Sequence, residues 1–86
     1  MAKSRATHNN AAFRYLFAIM NNNIEGITLN FVGDLGDNTE YSIRTAKVAR
    51  SLRTTSFRLI RSMQYLQDQG YISDLNVEHG KLSFIL

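Results

Sequence analysis

The densest chemistry in this chain is cationic. Arg44, Lys47, Arg50, Arg53, Arg58 and Arg61 follow one another with no aspartate or glutamate among them. Asp34, Asp37 and Glu40 lie before the block, and Asp68, Asp74 and Glu78 lie after it. A guanidinium keeps its charge at any physiological pH, and its planar fork matches phosphate oxygens. A basic block inside an otherwise balanced chain is the electrostatic footprint of a phosphate-binding face. The competing account is a solvated helical surface, which is ordinary for charges that occur singly. Six cations with no acid to relieve them favour the first account.

Other chemistries find little support. His8 falls in a basic start and His79 in a turn, far apart in sequence and each read as a surface histidine. Asp34, Asp37 and Glu40 offer oxygen ligands, but without the spacing of a calcium loop, and a solvated turn accounts for them. The chain has no cysteine, which excludes disulfides and thiolate metal sites. No glycine-rich phosphate loop or nucleophile motif is present. We therefore expect no enzyme, no cofactor and no metal.

The 86 residues suffice for one modest core. The net charge of +3 decides less than its distribution. No apolar run reaches membrane-spanning length, since the longest candidate, Ala11 to Met20, is interrupted by Arg14. The basic start lacks the apolar stretch of a secretory signal. It reads as a flexible arm over 1–6, preceding one domain over 7–86 of a cytoplasmic protein.

Apolar periodicity supplies the elements that must position the cations. From about Thr7 to Asn22, Phe13, Leu16, Phe17 and Met20 fall on one helical face, widened by Ala12, Tyr15 and Ile19. The asparagine triplet and Gly26 end that helix. Ile27 to Val32 alternates as a strand, 33–38 is rich in turn residues, and Tyr41 to Ile43 forms a short strand pairing back on the first. Val48, Ala49 and Leu52 return to helical spacing over 44–52. Arg53-Thr54-Thr55 breaks it, and a hydroxyl there caps the next helix. That helix, roughly 56–69, buries Leu59, Ile60, Met63 and Leu66 and turns Arg58, Arg61, Ser62 and Tyr65 outward or to the flank. Gly70 stops it, Tyr71 to Val77 forms a strand, Glu78 to Lys81 a turn, and Leu82 to Leu86 the last strand.

This order resembles the winged helix-turn-helix family. The resemblance is carried by Val48-Ala49, Leu52, the break at Arg53–Thr55, Leu59, Met63, Leu66 and Gly70-Tyr71-Ile72, within similarity running over about Tyr41 to Leu86. Two departures stand out: Arg53 replaces the usual turn glycine, and about Ile24 to Glu40 is extra material. The resemblance implies a small α+β domain in which a second helix enters the DNA major groove and a C-terminal hairpin forms a wing. Ser56 and Arg58, at the start of that helix, would approach base edges, Arg58 through two hydrogen bonds to guanine. Arg44, Lys47, Arg50, Arg53 and Thr55 would touch backbone phosphates. Arg61 would lie on the outer face, and Lys81 at the wing tip would reach the minor groove or backbone. The expected activity is sequence-specific binding of double-stranded DNA by a small regulator of transcription, replication or mobile-element maintenance. A homodimer through the first helix or the Ile27–Val32 strand would enlarge its footprint.

Ser56 to Leu86 is also similar to the N-terminal half of the eighth small-subunit ribosomal protein. Ser56, Gly70-Tyr71-Ile72, Asp74, Val77 and Leu82 to Leu86 carry that likeness, with Leu16, Ile19 and Asn21 fitting its first helix. It implies a structural protein bound to ribosomal RNA. A winged helix recruited to bind protein is a third reading. Steep loss of affinity with salt separates the nucleic-acid readings from the third.

Overall fold

The computed structural model describes the backbone of residues 2–21 and 23–86, and side chains from Asn10 onward within them. Among these residues the elements are α1 (Ala2–Met20), β1 (Ile27–Val32), β2 (Asn38–Arg44), α2 (Thr45–Ser51), α3 (Ser56–Asp68), β3 (Ser73–Glu78) and β4 (Lys81–Ile85). The strands form one antiparallel sheet in the order β1-β2-β4-β3, so the fold is α+β. α1 begins at Ala2, ahead of the Thr7 that periodicity predicts, and takes in the backbone of the segment expected as an arm. The side chains of that segment, and His8, lie outside the described residues.

Period-two alternation gives the sheet one apolar and one polar face. Tyr41, Ile43, Leu82 and Phe84 turn inward and are buried. Tyr41 lies directly opposite Phe84, their rings stacked at 5.3 Å and 14°. The alternate positions Ser42, Arg44, Lys81 and Ser83 therefore occupy the outer face. β1 extends the sheet through Ile27↔Ile43 and Leu29↔Tyr41. Its inward residues Ile27 and Leu29 are only half-buried, as expected of an edge strand.

The helices close the inner face, with α1 packed on α3. α1 buries Ala12, Tyr15, Leu16 and Ile19, one side of the expected wide face, and leaves Phe17 and Met20 on its other side exposed. Both stripes satisfy the 3.6-residue period. The stripe containing Ala12 lets the helices approach more closely than one lined by two phenylalanines. Phe13 sits at the boundary, with Phe17 at 6.3 Å and Tyr71 edge-on at 4.9 Å. On α3 the buried face is Leu59, Ser62, Met63 and Leu66. Ser62, expected outward or at the flank, belongs inside because it stands three residues after Leu59 and directly before Met63. Ile60 is half-buried at the flank.

The C-terminal ends of α2 and α3 use one device. After α2, Thr54 N–H donates to the Ala49 carbonyl (2.9 Å) and Arg53 N–H to the Arg50 carbonyl (3.1 Å). After α3, Tyr71 N–H donates to Leu66 (2.9 Å) and Gly70 N–H to Gln67 (3.0 Å). Each is a Schellman motif, which requires a left-handed residue just past the helix. Gly70 fills that role with φ 83°, and Arg53 fills it with φ 59°. Using Tyr71 and Ile72 in this closure delays β3 to Ser73, later than expected. β3 then bulges between Ser73 and Asn76, where Asp74 is left-handed (φ 54°). The Leu75 N–H finds its acceptor on α3 instead, the Gln67 Oε1 at 2.7 Å.

The Thr54 Oγ1 is buried in the corner without a hydrogen-bond partner among the described residues. Stranding a hydroxyl costs on the order of 1–3 kcal/mol, and an apolar group of like shape avoids that cost. Thr54→Val is expected to raise stability by about 1 kcal/mol, read as a thermal midpoint roughly 4–8 °C higher. An unchanged or lower midpoint would refute the orphaned-hydroxyl account.

Candidate nucleic-acid interface

The corner places the cations because each helix has one rotation available once its apolar face is buried. On α2, burial of Val48 and Ala49 leaves Lys47 and Arg50 exposed. On α3, burial of Leu59, Met63 and Leu66 leaves Phe57, Arg58, Arg61 and Gln64 exposed. Arg53 stands exposed on the turn between them. Thr55 caps α3, its hydroxyl accepting from the Arg58 N–H at 3.1 Å. The hydroxyl hydrogen remains available to donate to an anion. Ser56, the first residue of α3, is half-buried, which leaves it less open to a base edge than Arg58.

Neither α2 nor α3 carries an acid in its first turn. The N-terminal end of α3 therefore presents unrelieved positive potential from the helix dipole, with Arg58 beside it. Among the described residues, Arg44, Arg50, Arg53, Arg58 and Arg61 form no ion pair. Lys47 does, with Glu25 at 3.5 Å, so its charge is partly answered. Sequence distance concealed this pair. Gly26, left-handed at φ 94°, turns the chain so that Glu25 meets α2. The left-handed φ is what favours glycine, since an added Cβ would lie only at the edge of ordinary contact, 3.4 Å from the Lys47 stem and Arg44.

The nine residues expected at the interface divide into two groups. Arg50, Arg53, Thr55, Ser56, Arg58 and Arg61 belong to the α2–α3 corner. Arg44 and Lys81 are register partners on the outer face of the sheet, beside a shallow groove also lined by Gly26, Thr28 and Ser42. Lys47 lies between the groups, near Gly26. Lys81 is not at a projecting tip. The His79-Gly80 turn is tied to the start of α2 by Thr45 N–H donating to the Gly80 carbonyl at 3.2 Å, and β4 pairs with β2 from Lys81 onward. Tyr65, expected outward or at the flank, is half-buried.

One surface residue escaped the sequence reading. Phe57 is 67% exposed near the start of α3, and the Arg61 guanidinium lies 5.5 Å from its ring centroid. The signal was present in the spacing: Phe57 falls off the Leu59/Met63/Leu66 stripe and precedes Arg61 by one helical turn. No group of three or more histidine, aspartate or glutamate side chains gathers among the described residues to hold a metal ion. No described helix is long and apolar enough to cross a membrane.

No protein-family model, curated protein or solved structure matches the chain.

The left-handed Arg53 gives a test that separates stability from binding. Glycine relieves roughly 1–2 kcal/mol of steric cost at such a position but adds roughly 0.5–1 kcal/mol of unfolded-chain entropy. Arg53→Gly is thus expected to gain about 0.5–1 kcal/mol in denaturant unfolding. The same change should weaken duplex DNA binding and flatten its logarithmic salt slope by about one. An unaltered slope would remove Arg53 from the interface.

Proposed function

We propose that this protein is a winged helix-turn-helix DNA-binding domain acting as a small site-occupying regulator, with α3 in the major groove. The observation that carries the reading is the α2–α3 corner, where exposed, unpaired guanidinium groups surround the N-terminal end of a well-anchored helix. The element order supports it, as does the β3–β4 hairpin that follows the helix pair and pairs through β4 with the preceding β2. Arg50 and Arg53 hold phosphates, Arg58 reaches a base edge, and Arg44 and Lys81 supply flanking charge. The helical conformation of Thr45–Ser51 weighs against the ribosomal-protein alternative, which requires a strand there.

A second copy is the proposed partner of the aromatic surface formed by Phe17, Phe13 and Tyr71. Phe17 and Tyr71 are 57% and 53% exposed, and Phe13 links them through ring contacts. Phe17→Glu is expected to shift the protein from dimer to monomer in sedimentation equilibrium. A wild-type monomer at high concentration would rule this contact out.

Duplex DNA titrations at several salt concentrations test the main reading. Four phosphate-facing cations, Arg44, Arg50, Arg53 and Lys81, predict a logarithmic slope of roughly −3 to −4, at about 0.9 per phosphate neutralised. Arg58→Ala is expected to cost about 1–3 kcal/mol on a selected site and less on random duplex. Equal losses on both would make Arg58 a phosphate contact. A flat salt response would overturn nucleic-acid binding and leave the protein-interaction reading.

A further inference from the structure

We propose that Phe57 is a specificity residue that reads a thymine C5-methyl group in the major groove. The inference rests on the DNA-binding reading above and deepens it by naming what is recognised. Phe57 is the second residue of α3 after the Thr55 cap, within the part of a docked helix that reaches base edges. Its ring is 67% exposed, although α3 has a complete apolar face buried without it. A large exposed apolar group normally associates with another apolar surface. Here its nearest charged neighbours in the helix are Arg58 and Arg61, with the Arg61 guanidinium over the ring and no acid in the first turn.

The ligand must therefore satisfy two demands together. It has to be polyanionic, to be drawn to the arginines, and it has to offer a small apolar group at helix-contact distance. Duplex DNA meets both, because thymine methyls are the apolar groups displayed in its major groove. An apolar partner protein meets only the second demand, since docking there would desolvate several unpaired guanidinium groups. The contact with Arg61 adds a positioning role. It holds that guanidinium against the ring and so limits the conformations from which it approaches the DNA.

The test starts with selection of a preferred site from a random duplex pool by the full chain. The selected duplex is then remade with deoxyuridine replacing one thymine at a time, which removes the methyl and keeps the base pair. Wild-type protein is expected to lose roughly three- to tenfold in affinity at one thymine, in line with losing about one buried methyl-sized contact. Phe57→Ala is expected to lose a similar factor on the thymine duplex, to be indifferent to that replacement, and to keep its salt slope. Arg61→Gln should weaken binding to both duplexes while retaining the thymine-to-uracil ratio. Equal uracil sensitivity in Phe57→Ala and wild type would overturn the assignment. So would wild-type indifference to every replacement, a selected site with no thymine, or tighter binding of the single strand, where the ring would stack on any base. Failure to enrich any duplex would overturn sequence-specific recognition itself and this inference with it. Enrichment without uracil sensitivity would overturn the Phe57 role alone.

Discussion

Burial of one face of α3 sets everything else on this molecule's surface. Leu59, Met63 and Leu66 are wholly removed from water, each side chain stabilising the fold by about 1.5–3 kcal/mol. No surface ion pair competes at that magnitude. With that stripe inward, the helix has no rotational freedom left, and Phe57, Arg58, Arg61 and Gln64 must face solvent. Axial position is held as firmly. Thr55 caps the first turn, Gly70 closes the last, and the Gln67 side chain fastens the helix to the bulge in β3. The cations are thus displayed by a rigid element whose placement does not depend on them.

Several features of the corner run against local stability. A left-handed arginine replaces the glycine that a Schellman closure favours, and an arginine occupies the first turn of α3, where the dipole favours an acid. The cations around it lack carboxylate partners, although acids are available elsewhere in the chain. Gly70 shows that this protein uses glycine where only geometry matters. A left-handed non-glycine residue also occurs at Asp74 in the β3 bulge, but only at the corner does it coincide with cations around a helix N-terminus, a combination that folding alone does not call for. A polyanionic ligand would offset the electrostatic costs by supplying the missing negative charge, while the steric cost of the left-handed Arg53 would remain.

Much of this was legible because local chemistry and tertiary packing agree. Strand alternation gave β1 and the period change gave α2, while β2 was anticipated only at Tyr41 to Ile43 and extends over Asn38–Arg44. The hydroxyl cap and Gly70 bounded α3 to within a residue or two. The misreadings share a cause: they required choosing between options that the sequence presents as equal. α1 offers two adjacent apolar stripes that read as one wide buried face, whereas packing covers only the one with Ala12. Ser62 was placed outward or to the flank because Ile60 was counted on the buried face, whereas the helix is rotated to bury Ser62 and leave Ile60 at the flank. Glu25 was distant in sequence, and only the left-handed Gly26 brings it to Lys47. Phe57 was overlooked because attention to charge passed over an aromatic residue embedded among cations.

The pairing of β4 with β2 constrains how such a domain could read DNA. Because the ladder begins at Lys81, directly after the His79-Gly80 turn, and that turn is bonded to Thr45, the hairpin does not extend past the sheet. Little is left to follow the backbone into a neighbouring groove. Arg44 and Lys81 reinforce the same end of the sheet rather than reaching beyond it. Under the proposed DNA-binding reading, sequence discrimination would fall almost wholly on the first turns of α3, a footprint of a few base pairs. A footprint that short yields useful selectivity only when it is repeated at fixed spacing, and a two-fold dimer provides that repetition. The same geometry that concentrates readout on Phe57 and Arg58 therefore makes pairing of two copies, through a surface away from the corner, a functional requirement of the proposed role.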